Sequence, residues 1–484
     1  MRVFEPFEKT IAQLQEAMRR GETTSEALVR FYLDRIGEQN GRLHAVEAVS
    51  PTALEEARAL DAERRAGTVR SPLHGIPLLV KENYDVLGMA TTASCAALSA
   101  FYPETESFII RKLRNAGAIV VAKTTMSEFA RHGWTSGSAF GQALNPYDLS
   151  RTPGGSSGGT GIGVAMNFAA AGLGTDTVNS VRSPCSACSL VGIRPTLGLW
   201  SRSGIVPNTD IQDIGGPMAR TVEDAALLLE LAAGYDEADG STAAQLGRVP
   251  ASYRPFLRED GLKGKRIGLL RTDYGSVPDI LRVMDRAHAA MRAQGAELVE
   301  IEDEALFADT VTANCDVQRY ETRSSFQHYF DTHPNCPVRS LDELVEKKLV
   351  HSSIAADLAA CAAEEAPLES AAYHEKLANI GALRWRLDQV LSDNRLDAMC
   401  FPHQQVLVTE VGVNSQPGRN GCLTSMSGLP SIVVPGGFSA PTATAPIGVP
   451  IGVEFIAAPW QEPTLLEIAY SFEQHTKYRR TPIL

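Results

Sequence analysis

Residues 151–195 read RTPGGSSGGTGIGVAMNFAAAGLGTDTVNSVRSPCSACSLVGIRP. A loop rich in glycine and serine enters a run of small apolar residues, which ends in a second polar turn that holds Ser180. Because glycine carries no Cβ, such a loop lets backbone N–H groups come close to a ligand. A helix of Gly, Ala, Val, Met and Phe has no polar face, so we expect it to be buried between the two turns. The stretch therefore predicts a site built on a rigid support.

The composition of the chain is that of a globular enzyme. Its 484 residues are 44% hydrophobic and 21% charged, which supplies enough apolar material for a large core. The net charge is −12, and no run of clustered Lys and Arg offers a surface for a phosphate backbone. No stretch reaches the ~18 apolar residues of a membrane span, and the start MRVFEPFEKT lacks the apolar core of a signal peptide. We therefore expect a cytoplasmic protein with no nucleic-acid or membrane partner.

The eight cysteines are scattered along the chain. Only Cys185 and Cys188 form a C-x-x-C pair, and no second pair stands at zinc-ligand spacing. These cysteines either have a redox or metal-binding role or are simply buried as small apolar residues, and their spacing favours burial. We expect no metal and no cofactor.

Hydrophobic periodicity divides the chain into a helical start, a core of strands and helices, and a return to strands at the end. Lys81 closes a short buried strand at 76–80, and a helix then leads to a second strand at 118–121. Strand, helix and strand without polar alternation predict a covered sheet with parallel pairs. No linker or repeat interrupts the pattern, so we predict one large α/β domain at 1–484. The other predicted elements are helices at 8–20, 23–36, 50–66, from Thr221, from Pro278, throughout 305–395 and at 464–475, and strands in KRIGLL, AELVEIE, LDAMCFP, PSIVVPGG and PIGVEFIA.

Two well-known glycine-rich motifs fit the loop poorly. Residues 154–158 match the G-x-S-x-G nucleophile elbow, but NPYDLSRTP before them is turn chemistry where the elbow needs a strand. The loop also lacks the lysine of a P-loop, and a flexible linker has no need of the buried helix that follows. A serine in a turn, like Ser180, and a lysine at a strand end, like Lys81, are each most often structural. The residues alone thus indicate an α/β enzyme with a serine-rich site.

Several blocks of the sequence, taken together and in order, resemble the amidase signature family of serine hydrolases. The blocks are GIPLLVKENYDV with Lys81, TPGGSSGG with Ser156, GTDTVNSVRSP with Ser180, VGIRPT, SRSGIVPNTDIQDIGGPMARTVEDAALLL and the C-terminal GLPSIVVPGG and PIGVPIGVEFIA. The resemblance covers residues from about 60 to 475, and Ser180 follows Ser156 by 24 residues, as the family's two catalytic serines do. It implies one domain with a mixed, mostly parallel β-sheet covered by helices on both faces.

The resemblance also implies a Ser–cisSer–Lys triad. Ser180 would be the nucleophile, a neutral Lys81 the base, and Ser156, after a cis peptide from Gly155, the proton bridge between them. Lys81 must then lose its proton well below its reference pKa near 10.4, which requires burial. The backbone N–H groups that would form the oxyanion hole belong to Thr177, Val178, Asn179 and Ser180, and the supporting residues would be Gly155, Ser157, Asp176 and Arg182. The family further implies a homodimer.

The sequence departs from the family's pattern directly before the proposed nucleophile. The family usually has Gly-Gly there, whereas this chain has Val178-Asn179. Valine is stiff and avoids positive φ, while asparagine tolerates it. Two interpretations stay open: the turn needs no positive φ at 178, or the oxyanion hole has been reshaped.

Three functions remain in competition at this point. The first is a stand-alone hydrolase of a small or aryl carboxamide, which releases a carboxylic acid and ammonia or an amine. The second is the glutaminase-like subunit of a tRNA-dependent amidotransferase, against which Val178-Asn179 counts, and the third is a non-catalytic scaffold.

We expect residues 1–66 to form a helical segment and 67–240 the signature core. The substrate preference would be set by 305–395 and by 125–145, where Trp134 and Phe140, with Trp200 elsewhere, either line an aromatic pocket or simply pack.

Overall fold

A mixed sheet of eleven strands runs through residues 4–483, the part of the chain that the computed structural model describes. A separate hairpin is formed by β4 and β5. The strands are β1 Val46–Val49, β2 Pro77–Lys81, β3 Ile119–Thr124, β4 Ser136–Gly137, β5 Gly141–Gln142, β6 Ala171–Asp176, β7 Val191–Arg194, β8 Ile214–Ala219, β9 Arg266–Leu270, β10 Glu297–Ile301, β11 Ala398–Pro402, β12 Ser431–Phe438 and β13 Pro450–Ile456.

The α-helices lie before, between and after these strands. They are α1 Ile11–Arg19, α2 Ser25–Leu43, α3 Ala53–Arg65, α4 Phe108–Asn115, α5 Gly158–Ala165, α6 Arg182–Ala187, α7 Val222–Ala232, α8 Pro278–Ala293, α9 Ala308–Cys315, α10 Gln318–Thr332, α11 Leu341–Glu346, α12 Ser352–Ala362, α13 Ala371–Asp393, α14 Cys422–Ser427 and α15 Glu462–Thr476. None of those in the described chain is both long and apolar enough to span a bilayer.

The strand order is β1-β3-β2-β6-β8-β7-β12-β13-β11-β9-β10. Parallel pairs join β3, β2 and β6 at one end and β11, β9 and β10 at the other. The strands between β6 and β11 are antiparallel, as is β1 to β3, so six of the ten neighbouring pairs in residues 4–483 are antiparallel. The mixed α/β sheet is thus confirmed, while its pairing is less parallel than expected. Antiparallel neighbours need no crossover helix, and none lies between β7 and β8 or between β12 and β13.

Apolar side chains bury both faces of the sheet, which confirms the expected covering. On β2, Leu78 and Val80 belong to one hydrophobic cluster, and Leu79 between them belongs to another. Successive side chains of a strand point to opposite faces, so the two clusters lie on opposite sides of the sheet. The covered sheet therefore holds Lys81, the last residue of β2, in a buried position.

The run of small residues between the two polar turns is only half helical. Helix α5 ends at Ala165, and the chain then returns as strand β6 through the centre of the sheet. A Cβ on Gly172 would lie 2.5 Å from Thr160 Cγ2, so the strand is made of small residues because α5 packs closely on it. The expected burial is confirmed, but a helix through the whole run is wrong.

Three further strands of the large sheet, β1, β7 and β8, were not expected from the sequence, and neither was the hairpin of β4 and β5. β8 reads IGGPMA, which has the composition of a turn, yet a Cβ on Gly216 would lie 2.2 Å from Ile193 O on β7. Glycine is required here by the close approach of two strands, which no local pattern reveals. The helical interpretation of 305–395 is confirmed by α9 to α13.

Candidate active site

Lys81 and Ser156 lie in direct contact. Lys81 Nζ is 2.7 Å from Ser156 Oγ and 2.7 Å from Thr175 Oγ1, and all three residues are buried. Lys81 ends β2, Thr175 lies on the neighbouring strand β6, and Ser156 stands in the loop that enters α5. Parallel strands bring their carboxyl ends to the same edge of a sheet, which explains how Lys81 and Thr175, 94 positions apart, meet.

The Gly-Ser loop is fixed from several sides. The Gly155–Ser156 peptide bond is cis, as the resemblance implies. Ser156 O accepts the Ser127 N–H at 3.0 Å, and Ser157 Oγ donates to Thr175 O at 3.2 Å. A Cβ on Gly155 would lie 2.8 Å from the carbonyl carbon of Gly133 and 2.9 Å from the hydroxyl oxygens of Ser127 and Thr135. Glycine is therefore needed here for close packing around the Ser156 hydroxyl.

Ser180 lies in the turn between β6 and α6, directly beside this loop. Its carbonyl oxygen accepts the Ser157 N–H at 3.2 Å, and 6% of the residue is exposed. The Ser180 hydroxyl makes no hydrogen bond within residues 4–483. Over the same part of the chain, the backbone N–H groups of Thr177, Val178, Asn179 and Ser180 donate to no protein acceptor. Four successive free donors beside a free serine hydroxyl form a ready binding place for an anionic oxygen.

A buried ionic network holds this turn. Arg182 Nη2 lies 2.9 Å from Asp176 Oδ1, and Arg194 Nη1 lies 2.9 Å from the same oxygen. Arg182 also pairs with Glu454 on β13, whose other oxygen is 2.7 Å from His403 Nδ1. Burial alone would raise the pKa of Asp176, but Arg182 and Arg194 outweigh it and hold the pKa below its usual range. Asp176 thus stays charged and fixes both ends of the turn, since its Oδ2 accepts the Val181 N–H at 3.0 Å.

The environment of Lys81 suits a neutral amine. Burial lowers its pKa to about 7, although the carboxylates of Asp176 and Asp213 act in the opposite direction. In the neutral form, Nζ keeps a lone pair that can accept the Ser156 hydroxyl proton while its N–H bonds remain on Thr175. The side chain is therefore able to act as a base near neutral pH.

A cavity of about 400 Å³ reaches this cluster through Thr175 and Thr177. Its apolar walls include Phe108, Val206 and Ile214, and one side is formed by α10 through Ser325, His328, Tyr329 and Thr332. Residue Ala130 lies in the 125–145 region and also lines it. The three aromatic residues singled out in the sequence do not line it. Trp200 is fully buried and donates to Leu229 O at 3.1 Å, Trp134 stacks on His132, and Phe140 is 37% exposed.

Val178 and Asn179 adopt ordinary backbone conformations, because neither belongs to the described residues with positive φ. The turn therefore needs no positive φ at 178, which confirms the first of the two interpretations. Val178 packs into the main hydrophobic cluster, and its carbonyl oxygen accepts from Arg182 Nη2 at 2.8 Å.

Sequence reasoning missed two polar residues of the cluster, Thr175 and Asn83. Thr175 Oγ1 accepts from Lys81 Nζ and from Asn83 Nδ2, the latter at 3.1 Å. The available signal was a pair of polar residues next to residues already chosen, Asn83 two positions after Lys81 and Thr175 directly before Asp176. Cys185 and Cys188 are buried thiols whose pKa values burial raises, which supports the structural interpretation of the pair.

The chain is similar to known proteins over nearly its whole length. The model of the family described as Amidase matches residues 27–466. The native peptide amidase from Stenotrophomonas maltophilia is 36% identical, with a TM-score of 0.89 over 99% of each chain. A glutamyl-tRNA(Gln) amidotransferase subunit of Moorella thermoacetica is 33% identical over 97% of each chain, and a probable amidase of Arabidopsis thaliana is 32% identical over 98% of this chain and 91% of its own.

The fold and the relatives define a class of amide-hydrolysing enzymes. The chain belongs to the amidase signature family.

Proposed function

We propose that this chain is a serine amidohydrolase that cleaves the C–N bond of a small or aryl carboxamide through an acyl-enzyme on Ser180. The observation that carries the proposal is the 2.7 Å contact between the buried Lys81 amine and the Ser156 hydroxyl. A lysine whose pKa is lowered to about 7 can act as a base, and a serine in contact with it can pass on a proton.

In the proposed reaction, Ser180 Oγ attacks the amide carbonyl carbon while its proton passes to Ser156 and the Ser156 proton to Lys81. The carbonyl oxygen becomes an oxyanion, which the free N–H groups of residues 177–180 stabilise. The C–N bond then breaks, and the amine leaves with a proton returned through Ser156. Water attacks the resulting ester, and release of the carboxylic acid regenerates the Ser180 hydroxyl.

The preference for a small or aryl acyl group is supported by the cavity. Its volume of about 400 Å³ is at the lower end for small-molecule sites, and Phe108, Val206 and Ile214 give it apolar walls. The lining also includes charged residues such as Arg111 and Asp210, which are able to bind a polar substituent of the substrate.

A second candidate is the glutaminase-like component of a tRNA-dependent amidotransferase. The 33% identity to the Moorella thermoacetica amidotransferase chain over 97% of the sequence favours it. The Val178-Asn179 pair in place of Gly-Gly argues against it, and the free N–H groups at 177–180 argue against a non-catalytic scaffold.

The deciding experiment is labelling with a fluorophosphonate probe, followed by mapping of the adduct and assay of aliphatic, aryl and peptide amides and of glutamine. We expect an adduct on Ser180 and turnover by the purified chain alone. Turnover of glutamine only when amidotransferase partner subunits are added would support the second candidate. Absence of both adduct and turnover would support the scaffold. Light scattering of the same sample tests the proposed homodimer.

A further inference from the structure

Asn179 stands directly before Ser180 and carries an amide group that the fold does not use. The residue is 2% exposed, and its Nδ2 has no hydrogen-bond partner within residues 4–483. Its backbone oxygen, by contrast, accepts the Ser183 N–H at 2.7 Å. A buried amide without a partner costs free energy, so its presence requires a reason.

The reason is not the backbone conformation. Asparagine is often found where φ is positive, but Asn179 does not belong to the described residues with positive φ. An alanine or a glycine would serve the turn equally well, because the backbone contacts of residue 179 do not involve its side chain.

The surroundings leave room for this side chain. A Cβ on Gly421, at the start of α14, would lie 2.9 Å from Asn179 Cβ and 3.0 Å from Arg182 Nη1. Gly421 has a φ of −60°, which any residue adopts, so the absence of a side chain there serves space and not conformation. Asn179 and Gly421 form a matched pair, a larger residue against the smallest one.

The place of Asn179 in the turn suggests a partner for this amide. It branches from the residue whose own N–H, with that of Ser180, is free beside the Ser180 hydroxyl. Side-chain amides of asparagine belong to the donors that stabilise the oxyanion of acyl transfer. Resting on the proposed function, we propose that the Asn179 side-chain amide is a further oxyanion donor, which binds the carbonyl oxygen of the substrate as negative charge develops on it.

The test compares Asn179→Ala and Asn179→Gly with the wild-type chain, using one amide that the chain turns over. Loss of a transition-state donor should lower kcat about 10²–10³-fold while KM changes less than about threefold. The rate of fluorophosphonate labelling at Ser180 should fall in parallel, because the phosphoryl oxygen of the adduct occupies the same position. The unfolding temperature should not fall, since no protein hydrogen bond is lost. Asn379→Ala, which removes an asparagine on α13, should leave kcat unchanged.

A double variant separates donation from packing. The double variant combines Asn179→Gly with Gly421→Ala. It adds a methyl group at residue 421 to replace part of the volume lost at residue 179, but it still lacks the side-chain amide. We expect this variant to remain as slow as Asn179→Gly. Recovery of wild-type kcat in the double variant would overturn the proposal in favour of packing.

Two further results would overturn the proposal. The first rejects only the donor role of Asn179, and the second also rejects the proposed function. If the wild-type chain is labelled and active while both single variants keep kcat and labelling rate within about threefold, the donor role is wrong and a bound water is the partner. If the wild-type chain itself is neither labelled at Ser180 nor active, the proposed function and this inference fail together.

Discussion

The stretch from 152 to 196 and the helices of 305–395 differ most in how far they are buried. Every residue from 152 to 196 is buried, whereas Trp385 on α13 is 62% exposed. The first region holds Ser156 and Ser180, and the second supplies one wall of the cavity through α10. Burial lowers the pKa of Lys81, and the buried Arg182 and Arg194 keep Asp176 charged, so the proposed chemistry depends on tight packing.

The largest expected contrast concerns two serines, one from each region. Ser180→Ala should lower kcat by about 10⁴-fold or more, because the proposed covalent step is lost. Ser325→Ala on α10, which removes a hydrogen bond at 3.1 Å to Asp210, should raise KM less than about tenfold and leave kcat unchanged. Steady-state kinetics on one amide measures both. Near-wild-type kcat in Ser180→Ala would break the comparison.

The pH dependence of activity tests the buried side of the comparison. The pKa of Lys81 is lowered to about 7 by burial, and the proposed base is the neutral amine. We therefore expect kcat/KM to be low in acid and to rise with pH through about 7. Ser325→Ala should keep the same midpoint, because α10 makes no hydrogen bond to Lys81. A profile that is flat between pH 6 and 9 would contradict the assignment of the base.

Two glycine-to-alanine changes test packing density directly. A Cβ on Gly159 in α5 would lie 2.4 Å from Ala45 O and 2.5 Å from two backbone atoms of Thr125, so Gly159→Ala should destabilise the protein by roughly 1–3 kcal/mol or more. Gly381 in α13 has no atom within 4 Å of such a Cβ, so Gly381→Ala should stabilise the helix by roughly 0.5–1 kcal/mol. Denaturant unfolding measures both. Equal effects of the two changes would remove the distinction between the regions.

The smallest expected effect concerns a contact between the 305–395 region and the core near β2. His333, just after α10, lies 3.0 Å from Asp85 of the core. Burial lowers the pKa of His333, but Asp85 outweighs it and the pKa ends above its usual value. The charged pair stabilises the fold fully below the unfolded pKa near 6.5, and this contribution is lost as pH rises through the higher folded pKa.

His333→Gln should therefore lower the free energy of unfolding more at pH 5.5 than at pH 8.5, by about 1 kcal/mol, the typical net contribution of one hydrogen bond. Urea unfolding at the two pH values measures the difference. An equal effect at both would show that the histidine acts only by packing.

Local patterns were sufficient for much of the fold. The helix predicted from Thr221 and the strand predicted before Lys81 are present as α7 and β2, and the Thr221 side chain caps α7 by accepting the Asp224 N–H. They failed for β8 and for the second half of the small-residue run, where glycines are strand residues because another element packs against them. The proposed catalytic residues came from the resemblance, and Thr175 was missed because its role depends on a strand neighbour.

The sequence by itself determined the α/β class, the helical 305–395 region, the family blocks and the departure at Val178-Asn179. Those features depend on residue type and on short-range spacing, which the chain carries directly. Only the tertiary structure decided that six of ten strand pairs are antiparallel, that Lys81 contacts Ser156, and that Gly421 makes room for Asn179. These depend on distances between residues far apart in the chain, and such distances are set by packing.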